Sequence, residues 1–114
     1  MTYAIVYKAL RPEEVAPSEA IGTSRAAIDA ADGFVHLSTA PQIGETLTRH
    51  FRDLDQVVLY AFRVSDLGNE LVWEPSRGGA DFPHLYGPLR LEQATRRWVL
   101  TRGEDGVPQV PGDL

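Results

Sequence analysis

Three histidines are spread over 114 residues, and two of them stand where a side chain can do chemistry. His36 lies in Phe34-Val35-His36-Leu37-Ser38-Thr39. In an extended segment Phe34, His36 and Ser38 share one face, with Val35 and Leu37 on the other. A helix follows at once. Its N-terminus presents backbone N–H groups and a partial positive charge, a setting suited to phosphate or another anion. A histidine beside it can donate to a phosphate or hydroxyl, or move a proton near neutral pH. The competing reading is a hydrogen-bonded core histidine followed by a Ser38-Thr39 pair that only caps the helix. His84 lies in Phe82-Pro83-His84-Leu85-Tyr86-Gly87-Pro88-Leu89, a segment stiffened by two prolines, with Tyr86 on the same face. A structural turn is the alternative there. Glu74 follows Trp73. A carboxylate against a tryptophan can have a raised pKa and serve as acid or base, or it can be an ordinary strand-end residue.

His36, Glu74 and His84 also form a set of two histidines and one carboxylate of the kind that holds metals. They come from three separate elements with no ligand spacing, so no metal is expected. Ser38 lacks the glycine-flanked elbow of a hydrolase nucleophile. Arg77-Gly78-Gly79 is glycine-rich but is not a phosphate loop, and reads as a connector. His50 reads as a helix-boundary residue.

The elements that must position these groups follow from pattern. Tyr3 to Lys8 reads as a first strand, and Arg11-Pro12-Glu13-Glu14 opens a short helix. Ser24 to Ala31 has helical composition and stops at Asp32-Gly33, a turn signal, and reads equally as irregular chain because Ile28 is its one large apolar residue. Phe34 to Ser38 is a second strand. A helix runs from Ala40 to Arg52, capped by Thr39 with Gln42 completing a capping box; Ile43, Leu47 and Phe51 form its buried stripe. Val57 to Val64 is almost wholly apolar, hence a central strand covered on both faces. Leu71 to Glu74, Phe82 to Tyr86 and Arg97 to Arg102 are extended, and Leu91 to Thr95 is a short helix. The order predicts an α+β domain over residues 1–102, with 103–114 a hairpin or loose tail.

Composition bounds the function. The length fits one core. There is no cysteine, which removes disulfides and thiolate chemistry. No run reaches the roughly 18 apolar residues of a membrane helix, and the N-terminus lacks the pattern of a signal peptide, so no membrane is expected and a cytoplasmic location is. A net charge of -5 argues against extended nucleic-acid binding; Arg96, Arg97 and Arg102 read as edge-strand charges. The oligomeric state is not legible.

Asp32-Gly33-Phe34-Val35-His36-Leu37-Ser38-Thr39, the apolar strand at Val57 to Val64, Trp73-Glu74-Pro75 and Phe82 to Leu89, in that order, resemble the bacterial family called domain of unknown function 952, over Tyr3 to Val99. That family in turn is similar to the ADP-ribosyltransferase-like superfamily, through Val35-His36-Leu37-Ser38 and the helix after it, which match a strand of RNA 2′-phosphotransferases. The resemblance implies a compact split-sheet domain, mainly antiparallel, with a cleft for NAD. It implies His36, Glu74 and His84 as catalytic residues and Ser38, Thr39 and Tyr86 as contacts to the nucleotide. Related chains often read Tyr-His at the start of the first strand where this one reads Tyr3-Ala4, and alanine supplies no donor. Three readings therefore stand: an NAD-dependent ADP-ribosyl- or phosphate-transfer enzyme, a non-catalytic module binding a nucleotide or other small molecule, and an interaction domain whose motifs are structural.

Overall fold

The computed structural model describes residues 3–114. Its strands are β1 (Ile5–Leu10), β2 (Val35–His36), β3 (Gln56–Arg63), β4 (Leu71–Pro75), β5 (Asp81–Leu85) and β6 (Arg96–Thr101). Its helices are α1 (Pro12–Ile21), α2 (Ala27–Asp32), α3 (Ala40–His50) and the single turn α4 (Val64–Leu67). The strands form two antiparallel sheets, β1-β3-β6 and β2-β5-β4. No described helix is long and apolar enough to cross a membrane.

The apolar β3 is the middle of the first sheet and is buried on both faces, as its composition requires. Val58, Tyr60 and Phe62 face one core layer with Val6, Leu10, Val35, Leu37 and Leu85. Val57, Leu59 and Ala61 face the other, where α3 lays down Ile43, Leu47 and Phe51. The capping box of α3 is formed: the Thr39 side chain takes the Gln42 N–H, and the Gln42 side chain takes the Thr39 N–H. Outside the core, Glu19 of α1 accepts from Tyr60 Oη at 2.8 Å and Arg97 Nε at 2.9 Å. Burial, then the bond to Glu19, pushes the Tyr60 phenol up to about 12.

Two expectations change, and one that was left open is decided. The second strand pairs with β5 only at Val35 and His36, because the chain then crosses to the first sheet. Ser38 exchanges backbone hydrogen bonds with Tyr7 of β1, at 2.8 and 3.0 Å. That bridge joins the two sheets, and the gap beside it is a cleft. Second, α1 is a full helix of 10 residues with Pro17 inside it. Third, residues 103–114 fold back as a hairpin on β6: Gly103 N–H donates to Val107 O and Gln109 N–H to Thr101 O, and Val107 and Pro108 are buried. The arginines read as edge-strand charges do lie on or just after the edge strand β6, and each is paired: Arg96 with Asp113, Arg97 with Glu19 and Arg102 with Asp55.

Leu47 is fully buried where α3 meets β3. Leu47→Ala is expected to cost about 2–5 kcal/mol, read as a lower urea midpoint; a loss under about 1 kcal/mol would contradict the packing assigned to α3.

Candidate active site

The second sheet decides which side chains meet. His36 of β2 lies opposite His84 of β5, and His84 opposite Val72 of β4. With a period of two, Phe34, His36, Glu74, His84 and Tyr86 all fall on one face. They touch there. The Phe34 ring lies 4.5 Å from His36, 4.2 Å from His84 and 5.3 Å from Tyr86, centroid to centroid, and the two imidazoles stand 5.6 Å apart. His36, His84 and Ser38 line a cleft of about 320 Å³ at the split between the sheets, with Tyr7 and Lys8 of β1 and Phe51 after α3 on its walls.

The two histidines are held differently. His36 Nδ1 is 2.7 Å from Asp29 Oδ1, and Nε2 is 3.0 Å from Asp32 Oδ2. Carboxylates only accept, so both contacts are satisfied when both ring nitrogens carry protons. His84 is gripped at one nitrogen, with Nδ1 2.7 Å from Glu74 Oε1. When Nδ1 donates to that carboxylate, Nε2 is the nitrogen left to exchange a proton. Tyr86 Oη donates to the same Glu74 oxygen at 2.7 Å. Sequence allowed a raised Glu74 pKa beside Trp73; the structure reverses this. The Tyr86 hydrogen bond, then that of His84, holds the Glu74 carboxyl below its ordinary value. Trp73 points to the other face, where it stacks on Tyr3 at 6.1 Å.

Ser38 and Thr39 are spent on structure. Ser38 Oγ shares a 2.8 Å hydrogen bond with Thr46 at the cleft wall. Thr39, 1 % exposed, is the cap of α3. Pro41 has no N–H, and the Gln42 and Ile43 N–H groups both bond Thr39 O, at 3.0 and 3.1 Å. The helix terminus expected to cradle an anion therefore has little left to donate. Tyr86, 46 % exposed, reaches Glu74 from outside the cleft. Among the described residues no group of three or more His, Asp or Glu is placed to hold a metal.

Sequence reasoning missed Lys8, Asp29 and Asp32. Lys8, 3 % exposed, puts Nζ 2.7 Å from Asp29 Oδ2 and donates to His36 O at 3.1 Å. Asp29 Oδ1 also accepts the His36 N–H at 3.0 Å. Burial drives Asp29 upward, but the His36 hydrogen bonds and the Lys8 ammonium outweigh it and leave the carboxyl below its usual range. Burial lowers Lys8 against the pull of Asp29. The signal was a charged residue inside the apolar run Ile5-Val6-Tyr7-Lys8-Ala9-Leu10 and two aspartates three apart before Gly33. Ala4 precedes β1 and is not on the cleft; the first-strand donor that reaches the site is Lys8, next to Tyr7.

Asp29→Asn leaves the Lys8 ammonium buried without its counter-charge, and about 3–5 kcal/mol of stability is expected to go. The pH dependence has a definite sign. The folded Asp29 carboxyl ionises at lower pH than the unfolded one, whose value is about 3.9. The unfolded state thus binds more protons between the two values, and stability falls as pH drops from about 4 through the folded value. Melting temperatures from pH 2 to 5 should fall less steeply in Asp29→Asn than in the parent; equal slopes would remove Asp29 from the acid limb.

The family model for the protein of unknown function DUF952 matches residues 7–97, beginning at Tyr7 within β1. Among solved structures, the crystal structure of CC0527 from Caulobacter crescentus is 45% identical, covers 92% of this chain and 93% of its own, and has a TM-score of 0.87. The solution NMR structure of CC0527 from Caulobacter crescentus is 45% identical, with coverages of 92% and 91% and a TM-score of 0.80. No curated protein matches the chain. Match and fold agree over nearly the whole domain, and the chain belongs to the DUF952 family of proteins of unknown function.

Proposed function

We propose that the cleft is the active site of an ADP-ribosyltransferase-like enzyme that uses NAD to transfer an ADP-ribosyl or phosphate group, with His84 as its general acid–base. The observation that carries this is the Glu74–His84 pair: a carboxylate 2.7 Å from Nδ1 of an imidazole that lines a ligand-sized cavity. Such a pair fixes the tautomer and presents Nε2 as a base. Two small sheets joined at Tyr7 and Ser38 agree with the split sheet that the resemblance implies.

The cavity, about 320 Å³, is at the small end of ligand pockets, about 300–1,000 Å³. It fits the nicotinamide–ribose half of NAD, not the whole dinucleotide. Bound NAD would supply an N-glycosidic bond already activated by the cationic ring. The chain supplies the rest. His84 accepts the proton of the incoming hydroxyl, Glu74 orients His84, and Tyr86 keeps Glu74 ionised. His36, gripped by two aspartates, forms a fixed wall beside it. NAD is an intracellular nucleotide, so the same reading puts the protein in the cytoplasm. A second reading, a non-catalytic nucleotide-binding module, draws on Lys8: its ammonium is held by Asp29 and the His36 carbonyl and is not free to act on a ligand.

Millimolar NAD and ADP-ribose are expected to raise the melting temperature, as a ligand of the native state must, and the protein to release nicotinamide. His84→Ala should lower that release by about 10²–10⁴ and keep the thermal shift. A shift without nicotinamide release leaves the binding module; no shift from either ligand overturns both readings. Tyr86→Phe removes the largest influence depressing Glu74, so Glu74 will protonate at higher pH. The acid limb of the rate profile should move upward in pH, and an unmoved limb would detach Tyr86 from the pair.

A further inference from the structure

We infer that the groove on the far side of α2 is a second subsite, one that takes the phosphate-bearing part of the ligand whose ring end fills the cleft. The inference rests on the nucleotide reading above and adds to it where the charge goes.

Among the described residues the cleft offers a phosphate no uncommitted lysine or arginine. Its basic side chains are committed: Lys8 to Asp29 and the His36 carbonyl, and Arg11 to His50 O at 2.7 Å with its guanidinium 5.5 Å from the Phe51 ring centre. The α3 terminus is likewise engaged. An anion must be met elsewhere or remain in water.

The groove meets it. It encloses about 760 Å³ and shares Glu14, Ala26 and Ala27 with the cleft, so the two hollows are divided only by the start of α2. Phe34 lines the groove, and its ring lies against Tyr86 there and against His84, which lines the cleft. Arg25 stands on the groove's edge, and among the described residues its guanidinium has no hydrogen-bond or ion-pair partner. Its backbone is nonetheless fixed. Arg25 N–H donates to the buried Ser18 Oγ at 2.8 Å, Ser24 N–H to Leu89 O at 3.0 Å, and Thr23 is bridged to Arg90. Next to it Ser24 Oγ is buried with no partner among the described residues. A cation on a rigid backbone, beside an unsatisfied hydroxyl and an aromatic wall, is what a phosphate attached to a ring-bearing ligand requires. Three acidic residues also border the groove, of which Asp29 is already paired with Lys8 and His36. The Glu14 carboxylate is taken up by the Arg11 and Ala27 N–H groups, which leaves the exposed Glu13 as the opposing charge on α1.

The test compares ligands with and without phosphate. Arg25 is exposed and makes no side-chain contact on which folding depends, so Arg25→Glu is expected to fold. By calorimetry it should bind NAD and ADP-ribose about tenfold more weakly or worse, the scale of a lost hydrogen bond to a charged group, and bind nicotinamide riboside as the parent does. Equal affinities of parent and variant for all three ligands, or an equal loss for all three, would overturn the subsite. Inorganic pyrophosphate separates this from the reading of the cleft. In ¹⁵N-resolved NMR it should shift the Arg25 Nε–H and Ser24 amide signals saturably in the parent and not in Arg25→Glu. That result upholds the groove even if NAD fails to bind and the cleft reading falls. Unmoved Arg25 and Ser24 signals overturn the groove whatever NAD does.

Discussion

The architecture turns on a single buried carboxylate. Where the chain leaves β5 after His36 and crosses to β1 at Ser38, the sheets part, and backbone groups at the parting edge need partners. Asp29 supplies them. One oxygen takes both the N–H and the ring of His36, and the other pairs with Lys8, whose ammonium in turn caps the His36 carbonyl. Taking these charges out of water is expensive, and a hydrophobic filler could give equal stability. What the network gives that a filler cannot is direction. It ties the short β2 to β1 across the split and locks the His36 ring. Asp29 reaches that position because α2 ends in a glycine with φ of 84°, a left-handed turn that returns the chain immediately into Phe34.

From that wedge the rest of the site follows by strand geometry. Once β2 is fixed, its alternation sets Phe34 and His36 on the face where β5 presents His84 and Tyr86 and β4 presents Glu74. Three motifs separated by tens of residues are thus one surface. The environments then separate the two imidazoles. One is clasped at both nitrogens beside a buried ion pair; the other is held at a single nitrogen by a half-exposed carboxylate. The Glu70 carbonyl takes the Tyr86 N–H at 2.9 Å.

What was legible in the sequence was whatever depends on near neighbours or strong period. The capping box at Thr39 and Gln42, the Ile43-Leu47-Phe51 stripe and the doubly buried β3 follow from local rules, and the structure has them. The misses depend on distant partners. Lys8 and Asp29 meet across 21 residues, and neither marks the other in a linear reading. The second strand was read too long because Leu37 and Ser38 look like strand, but Leu37 gives only its N–H to Pro83 of β5 and Ser38 already pairs with Tyr7 of the other sheet. At the α3 terminus the capping box that announced the helix also engages the Thr39 and Gln42 N–H groups. Glu74 was judged from Trp73, its chain neighbour, whereas the side chain faces Tyr86 and His84 across the sheet.

The same competition between scaffold and ligand shapes recognition. Every cationic side chain that stabilises the split is thereby withdrawn from the cleft, so a ligand there must be held by shape, aromatic contact and imidazoles. A fold carrying net charge -5 and a cleft with no uncommitted lysine or arginine among the described residues would repel a free polyphosphate. A phosphorylated ligand can be reconciled with this surface only if its uncharged or cationic end enters the cleft and its phosphates lie outside, against a cation that the scaffold does not need. Arg25, fixed by its backbone alone, meets that condition. The burial of Lys8 and the freedom of Arg25 are thus two consequences of one division of labour, in which charge inside the wedge builds the site and charge on its rim is left to meet the ligand.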